Sequence, residues 1–137
     1  MTSQQQAPVA MGLRHVALRV RDLEVCERFY VELMGYHVEW RPDPDNVYLS
    51  QGQDNLALHR EADFEPGKGP LDHMGIAVAK PEQVDAWYQW LSQAGVSGDA
   101  PPRTHRDGAR SFYTADPEGN RIQLLYHPPI VAGSLGR

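Results

Sequence analysis

Residues 13–20 alternate as a half-buried strand should. Val16, Leu18 and Val20 share one face, while His15, Ala17 and Arg19 share the other. The period then lengthens. Asp22 is placed to cap a helix, and Leu23, Cys26, Phe29, Tyr30 and Leu33 recur at helical spacing until Gly35 stops it from the C′ position. Tyr36, Val38 and Trp40 begin a second strand. Pro42-Asp43-Pro44-Asp45 predicts a turn, because neither proline can donate to a sheet ladder. Residues 46–51 and 55–60 then read as a hairpin across Gly52-Gln53-Asp54. The first unit is strand, helix and three strands.

The same pattern is then written a second time. His15 and His73 stand 58 positions apart, as do Leu13 and Leu71, Val20 and Val78, Phe29 and Trp87, Tyr30 and Tyr88, and Leu33 and Leu91. A spacing shared by six pairs marks a duplicated unit. Residues 62–70 are the linker, with Pro66-Gly67-Lys68-Gly69-Pro70 as its breaker cluster. In the second unit Met74, Ile76 and Val78 lie opposite His73, Gly75 and Ala77. Pro81 opens a helix whose stripe is Val84, Trp87, Leu91 and Ala94, ended by Gly95. A short strand near Val96, a polar loop to Gly108, and strands over 109–115 and 120–127 complete the copy, with Asp116-Pro117-Glu118-Gly119-Asn120 as the last hairpin turn. The fold class is therefore α+β, two tandem βαβββ units forming curved mixed sheets around a cleft. Residues 1–10 read as a flexible tail, 11–128 as one domain (units 11–61 and 71–128) and 129–137 as a second tail.

Composition narrows the functional classes. Of 137 residues, 41% are hydrophobic and 23% charged, as in a globular domain. A net charge of −5 and a pI near 5.6 argue against nucleic acid or an anionic membrane as partner. No apolar run approaches the ~18 residues that a membrane span needs. The polar, glutamine-rich start lacks the basic and apolar regions of a signal peptide. One cysteine, Cys26, excludes an intrachain disulfide and fits a cytoplasmic protein; it lies on the helical stripe, as a packing residue does.

Candidate chemistry follows from which side chains share the histidine face. In both first strands that face carries small or polar companions, and the bulky aliphatics lie opposite. A lone strand histidine is usually structural; a pair at equivalent repeat positions on small-residue faces points to a shared task. Parity along the last strand puts Arg121, Gln123 and Leu125 on the histidine side. In the first unit Ala57 and His59 take that side, with Gln123 corresponding to Ala57. Tyr48, Trp40 and Tyr113 offer aromatic contact surfaces, and Arg110, Arg103 and Arg106 are candidate partners for an anionic group. The Asp116–Asn120 hairpin is turn chemistry rather than catalysis.

The repeated unit, the two first-strand histidines and the run Ser111-Phe112-Tyr113-Thr114-Ala115-Asp116-Pro117-Glu118-Gly119-Asn120 together resemble the vicinal oxygen chelate superfamily, over about residues 11–128. That group includes glyoxalase I, extradiol dioxygenases, fosfomycin-resistance thiol transferases and bleomycin-resistance proteins. The resemblance implies one divalent metal per site (zinc, nickel, iron or manganese), held by His15, His73 and, where most metal-binding relatives carry glutamate, Gln123. His59 is an alternative ligand. The resemblance also implies a small oxygen-rich substrate, contacted by Tyr113, Tyr48 and Arg110, and a homodimer. Tyr113 matches a tyrosine that lies near the substrate in the thiol-transferase branch, and with Gln123 it is the candidate for a catalytic role. The alternative is a metal-free protein of bleomycin-resistance type that sequesters an aromatic ligand.

Overall fold

The computed structural model describes residues 6–131 apart from 68 and 97, together with the backbone of 132. Strand β1 (His15–Val20) leads to helix α1 (Leu23–Arg28), which Asp22 caps by accepting from the Val25 N–H at 3.1 Å. The helix then widens into a π turn over Phe29–Leu33, closed by the Met34 N–H on the Phe29 carbonyl. The extra residue of that turn carries the buried stripe to Met34 instead of Leu33, which is only half-buried. Gly35 follows with φ +79°, the left-handed conformation that ends the helix.

Strands β2 (His37–Asp43), β3 (Asn46–Ser50) and β4 (Asn55–Arg60) complete the first sheet, in the order β1-β4-β3-β2 with β1 parallel to β4. The turn expected over 42–45 is confined to Pro44 and Asp45, and Pro42 lies inside β2. A proline is tolerated there because β2 is an edge strand with register shifts. The second unit repeats the plan with β5 (Met74–Ala77), α2 (Pro81–Gln93), β6 (Arg103–Thr104), β7 (Arg110–Ala115) and β8 (Arg121–Tyr126), in the order β5-β8-β7-β6.

No strand forms at Val96. Its N–H goes to the Leu91 carbonyl while Gly95, at φ +81°, bonds Ser92, so these residues cap α2 instead. The outer strand of this sheet is β6, several residues later. The chain beyond β8 also differs from the expected unpatterned tail, because Pro128–Ala132 form a short helix, α3. Residues 133–137 and 1–5 lie outside the described residues.

The strand parity is realised in both units. Leu18, Val20, Leu56 and Leu58 from the first sheet and Ile76, Phe112, Ile122 and Leu124 from the second share one core with Cys26, Tyr30, Val84 and Leu91 from the helices. Polar ties cross between the units. The Tyr30 hydroxyl donates to Asp116 at 2.7 Å, the Trp90 indole donates to the Leu33 carbonyl at 2.8 Å, and the Glu118 carboxylate accepts the backbone N–H groups of Arg21 and Asp22. The Asp116–Asn120 hairpin is thus both a turn and a latch onto the start of α1. Both sheets turn their helix faces inward, and β1 and β5 each remain an outer edge of a separate sheet. No helix of the described residues is long and apolar enough to cross a membrane.

Candidate metal and substrate site

The faces turned away from the core carry the candidate residues, and the strand registers fix their neighbours. In the first sheet Ala17 pairs with Ala57, and Ala57 with Tyr48. In the second, Gly75 pairs with Gln123, and Gln123 with Tyr113. Gln123 and Ala57 therefore hold equivalent places, and so do Tyr113 and Tyr48. The tyrosine equivalence is not evident from sequence spacing, because the loops before these strands differ in length.

Each cleft-face histidine is oriented by a side-chain oxygen. His15 Nδ1 lies 2.7 Å from Asn55 Oδ1, His73 Nδ1 lies 2.6 Å from Asp72 Oδ1, and His59 Nδ1 lies 2.6 Å from Asn46 Oδ1. A carbonyl or carboxylate oxygen can only accept, so Nδ1 is the donor in each pair and Nε2 is the nitrogen turned away from the supporting oxygen. Metal-ligating histidines are usually supported in this way. The Asp72 carboxyl is held below the usual carboxylate range, chiefly by its hydrogen bond to His73. Asn55 also donates to Glu39 at 3.3 Å, which fixes its amide with the oxygen toward His15.

This donor chemistry fits the divalent ion that the resemblance implies: two imidazoles supported at Nδ1, with an amide oxygen on the same face as His73. Among the described residues, however, no three histidine, cysteine, aspartate or glutamate side chains gather closely enough to hold an ion. The His15/His59/His73 set considered from sequence is therefore not assembled within one chain. His59 instead stands edge-on to Tyr48, with ring centroids 5.9 Å apart. It lines a cavity of about 390 Å³ with Ala17, Arg19, Phe64 and Leu71.

Tyr113 lies beside His73, their ring centroids 5.3 Å apart and their planes at 88°. Tyr48 is stacked on Trp40 at 5.3 Å, and Trp40 is 59% exposed. Arg110 is placed elsewhere. Parity turns it to the helix side of β7, where it forms a two-pronged pair with Asp85 of α2 at 2.9 and 2.6 Å. That pairing holds the Asp85 carboxyl below its ordinary range and anchors α2 to the sheet. Arg110 is thereby removed from the set of substrate contacts. Asn55 and Asp72, the two supports of the histidines, were missed from sequence. Asp72 adjoins His73, a signal that was available; Asn55 becomes visible only once β4 is known to run parallel beside β1.

Comparison with known proteins places the fold. The chain is 30% identical over 118 residues to the glutathione transferase FosA of Serratia marcescens, covering 82% of this chain and 79% of that protein. Its fold matches an integron cassette protein from the mobile metagenome of the Halifax Harbour sewage outfall, with TM-score 0.72, 25% identity, and 85% and 98% of the two chains covered. It also matches a lactoylglutathione lyase from Agrobacterium tumefaciens, with TM-score 0.72, 21% identity, and 88% and 96% covered. The family model of the Glyoxalase/Bleomycin resistance protein/Dioxygenase superfamily matches residues 12–124, and the chain belongs to that superfamily.

Proposed function

We propose that this protein is a divalent-metal-dependent enzyme acting on a small oxygen-rich substrate, with transfer of a thiol as its reaction class. The observation that carries the metal reading is the matched support of His15 by Asn55 and of His73 by Asp72, which leaves both Nε2 atoms free to bind. A bound ion would be held by those two histidines with Gln123, and as a Lewis acid would draw charge from substrate oxygens. Gln123 counts against two of the family's other chemistries. An amide cannot act as the carboxylate base that proton transfer in glyoxalase-type relatives requires, and it leaves the two-histidine, one-carboxylate set of iron oxygenases incomplete. The similarity to a glutathione transferase points the same way.

The chain's own residues supply the rest. Tyr113 presents a phenol beside His73, placed to donate a hydrogen bond to a substrate oxygen. The stacked Trp40 and Tyr48 supply an apolar wall on the facing unit. Because a single chain leaves β1 and β5 as free edges, the reading includes a homodimer whose sites each join the first unit of one copy to the second unit of the other. The test is metal analysis of protein purified without chelator, followed by reconstitution with zinc, nickel, iron or manganese and assay of glutathione addition to a phosphonate epoxide. Metal-dependent consumption of glutathione is expected; absence of any metal affinity in the reconstituted protein would sink the reading. In that case ligand-induced thermal shifts with flat aromatic compounds, dependent on Trp40 and independent of metal, would mark the sequestering alternative.

A further inference from the structure

Arg121 stands two residues before Gln123 on the same face of β8, and nothing above assigns it a task. Its guanidinium carbon lies 3.9 Å from the centre of the Tyr113 ring. The strand register explains how it gets there. Arg121 is directly opposite Ala115 and diagonal to Tyr113, so the small alanine leaves room for the long side chain to lean across onto the aromatic face.

The guanidinium is also anchored from outside the sheet. Its Nη2 donates to Asp99 Oδ2 at 2.6 Å. Asp99 is in turn fastened to the strand that carries the tyrosine, its N–H donating to the Tyr113 carbonyl at 3.1 Å. The residue before it must be glycine, since a Cβ at Gly98 would fall 2.8 Å from that same carbonyl oxygen. Arginine on the face, His73 packed perpendicular to the ring and the strap of Gly98 and Asp99 along the backbone thus close around the tyrosine.

The first unit shows that this is a specialised use of the position. Asn55 opens β4 as Arg121 opens β8, and there it supports His15. In the second unit the support of the histidine has passed to Asp72, freeing the equivalent position to act on the tyrosine. A cation near a metal-binding face is unfavourable for a dication, and the Asp99 carboxylate offsets that charge while leaving the planar stack in place.

We propose that Arg121 is a positioning residue: stacked on Tyr113 and anchored by Asp99, it holds the phenol ring against His73 and so sets where the Tyr113 hydroxyl meets the substrate. The assignment rests on the reading of Tyr113 as a substrate contact. Its test therefore separates the clamp from that reading. In the full-length protein with ring-labelled tyrosine, the Tyr113 resonances are identified by their loss in Tyr113→Phe. Arg121→Ala and Asp99→Asn are expected to move them toward the positions of unconstrained tyrosine, while Arg121→Lys, which keeps the charge but not the plane, gives an intermediate shift. In metal-reconstituted enzyme turning over glutathione and a phosphonate epoxide, Arg121→Ala is expected to lower kcat by about 100-fold with KM little changed, the scale of a misplaced contacting group. Asp99→Asn lies outside the sheet and guards against misfolding as the cause. Tyr113 resonances unmoved by Arg121→Ala overturn the clamp whatever the activity. A moved ring with turnover unaffected in both Arg121→Ala and Tyr113→Phe overturns the role of Tyr113 and leaves the clamp as packing alone.

Discussion

The Tyr30 hydroxyl donates to the carboxylate of Asp116 at 2.7 Å, joining the π turn of the first unit to the last hairpin of the second. Both residues are buried. Asp116 also accepts the N–H groups of Glu118 and Asn120 and the Asn120 amide, so its charge is spread over several donors. Removal of one donor to a buried charged group costs about 1.5–3 kcal/mol. Tyr30→Phe is therefore expected to lower Tm by roughly 5–10 °C, measured by calorimetry, with the fold retained.

The same phenol gives the protein an alkaline limit. Burial first, and then the Asp116 charge, push the Tyr30 hydroxyl well above its ordinary range. The folded chain keeps this proton where the unfolded chain, titrating near ~10, loses it. Stability is thus complete below that range and declines as pH rises beyond it. Urea unfolding across alkaline pH should show a smaller decline for Tyr30→Phe. Tyr36, also raised by burial, retains its own contribution with the same sign.

On the proposed metal reading, Gln123 would set the strength of the site. Replacing it with glutamate restores a charged oxygen at the place that pairs with Gly75 and Tyr113. Calorimetric titration with zinc or nickel should show affinity rising by roughly one to two orders of magnitude, the scale on which changes around a metal act. Unchanged affinity would mean that residue 123 does not reach the ion.

The support of His15 by Asn55 is open to the same measurement. Asn55→Leu leaves the imidazole in place but frees its tautomer and rotation. Metal affinity should fall about tenfold, without a comparable loss of Tm, because Asn55 is only half-buried at the start of an edge-paired strand.

Much of this arrangement was legible in the sequence because it rests on periodicity. The alternation of residues 13–20, repeated at 73–78, assigns every side chain to core or cleft, and the structure follows it through Ile122 and Leu124 on one side and Gln123 on the other. What was not legible depends on hydrogen bonds that the pattern does not encode. Val96 has the residue type of a strand former, but its N–H is taken by the helix cap. The π turn adds one residue and shifts the stripe from Leu33 to Met34. Arg110 looked available for a substrate because Asp85, 25 positions away, gives no local sign of being its partner. Glu118 looked like an ordinary turn residue because its acceptors' partners, the N–H groups of Arg21 and Asp22, belong to the other unit.

The last prediction concerns where His15 and His73 meet. The two sheets share a core through their helix faces, and β1 and β5 are each a free outer edge of a separate sheet. If each site takes His15 from one copy and His73 from the other, His15→Ala and His73→Ala homodimers each have two broken sites. A mixed dimer has one site with both substitutions and one with neither. Unfolding and refolding an equal mixture should therefore restore about one quarter of the wild-type metal sites, since about half of random pairs are mixed and each carries one intact site of two. Metal binding and turnover should recover together to that level. Assembly within one chain predicts no recovery at any mixing ratio, because every chain then carries its own damage.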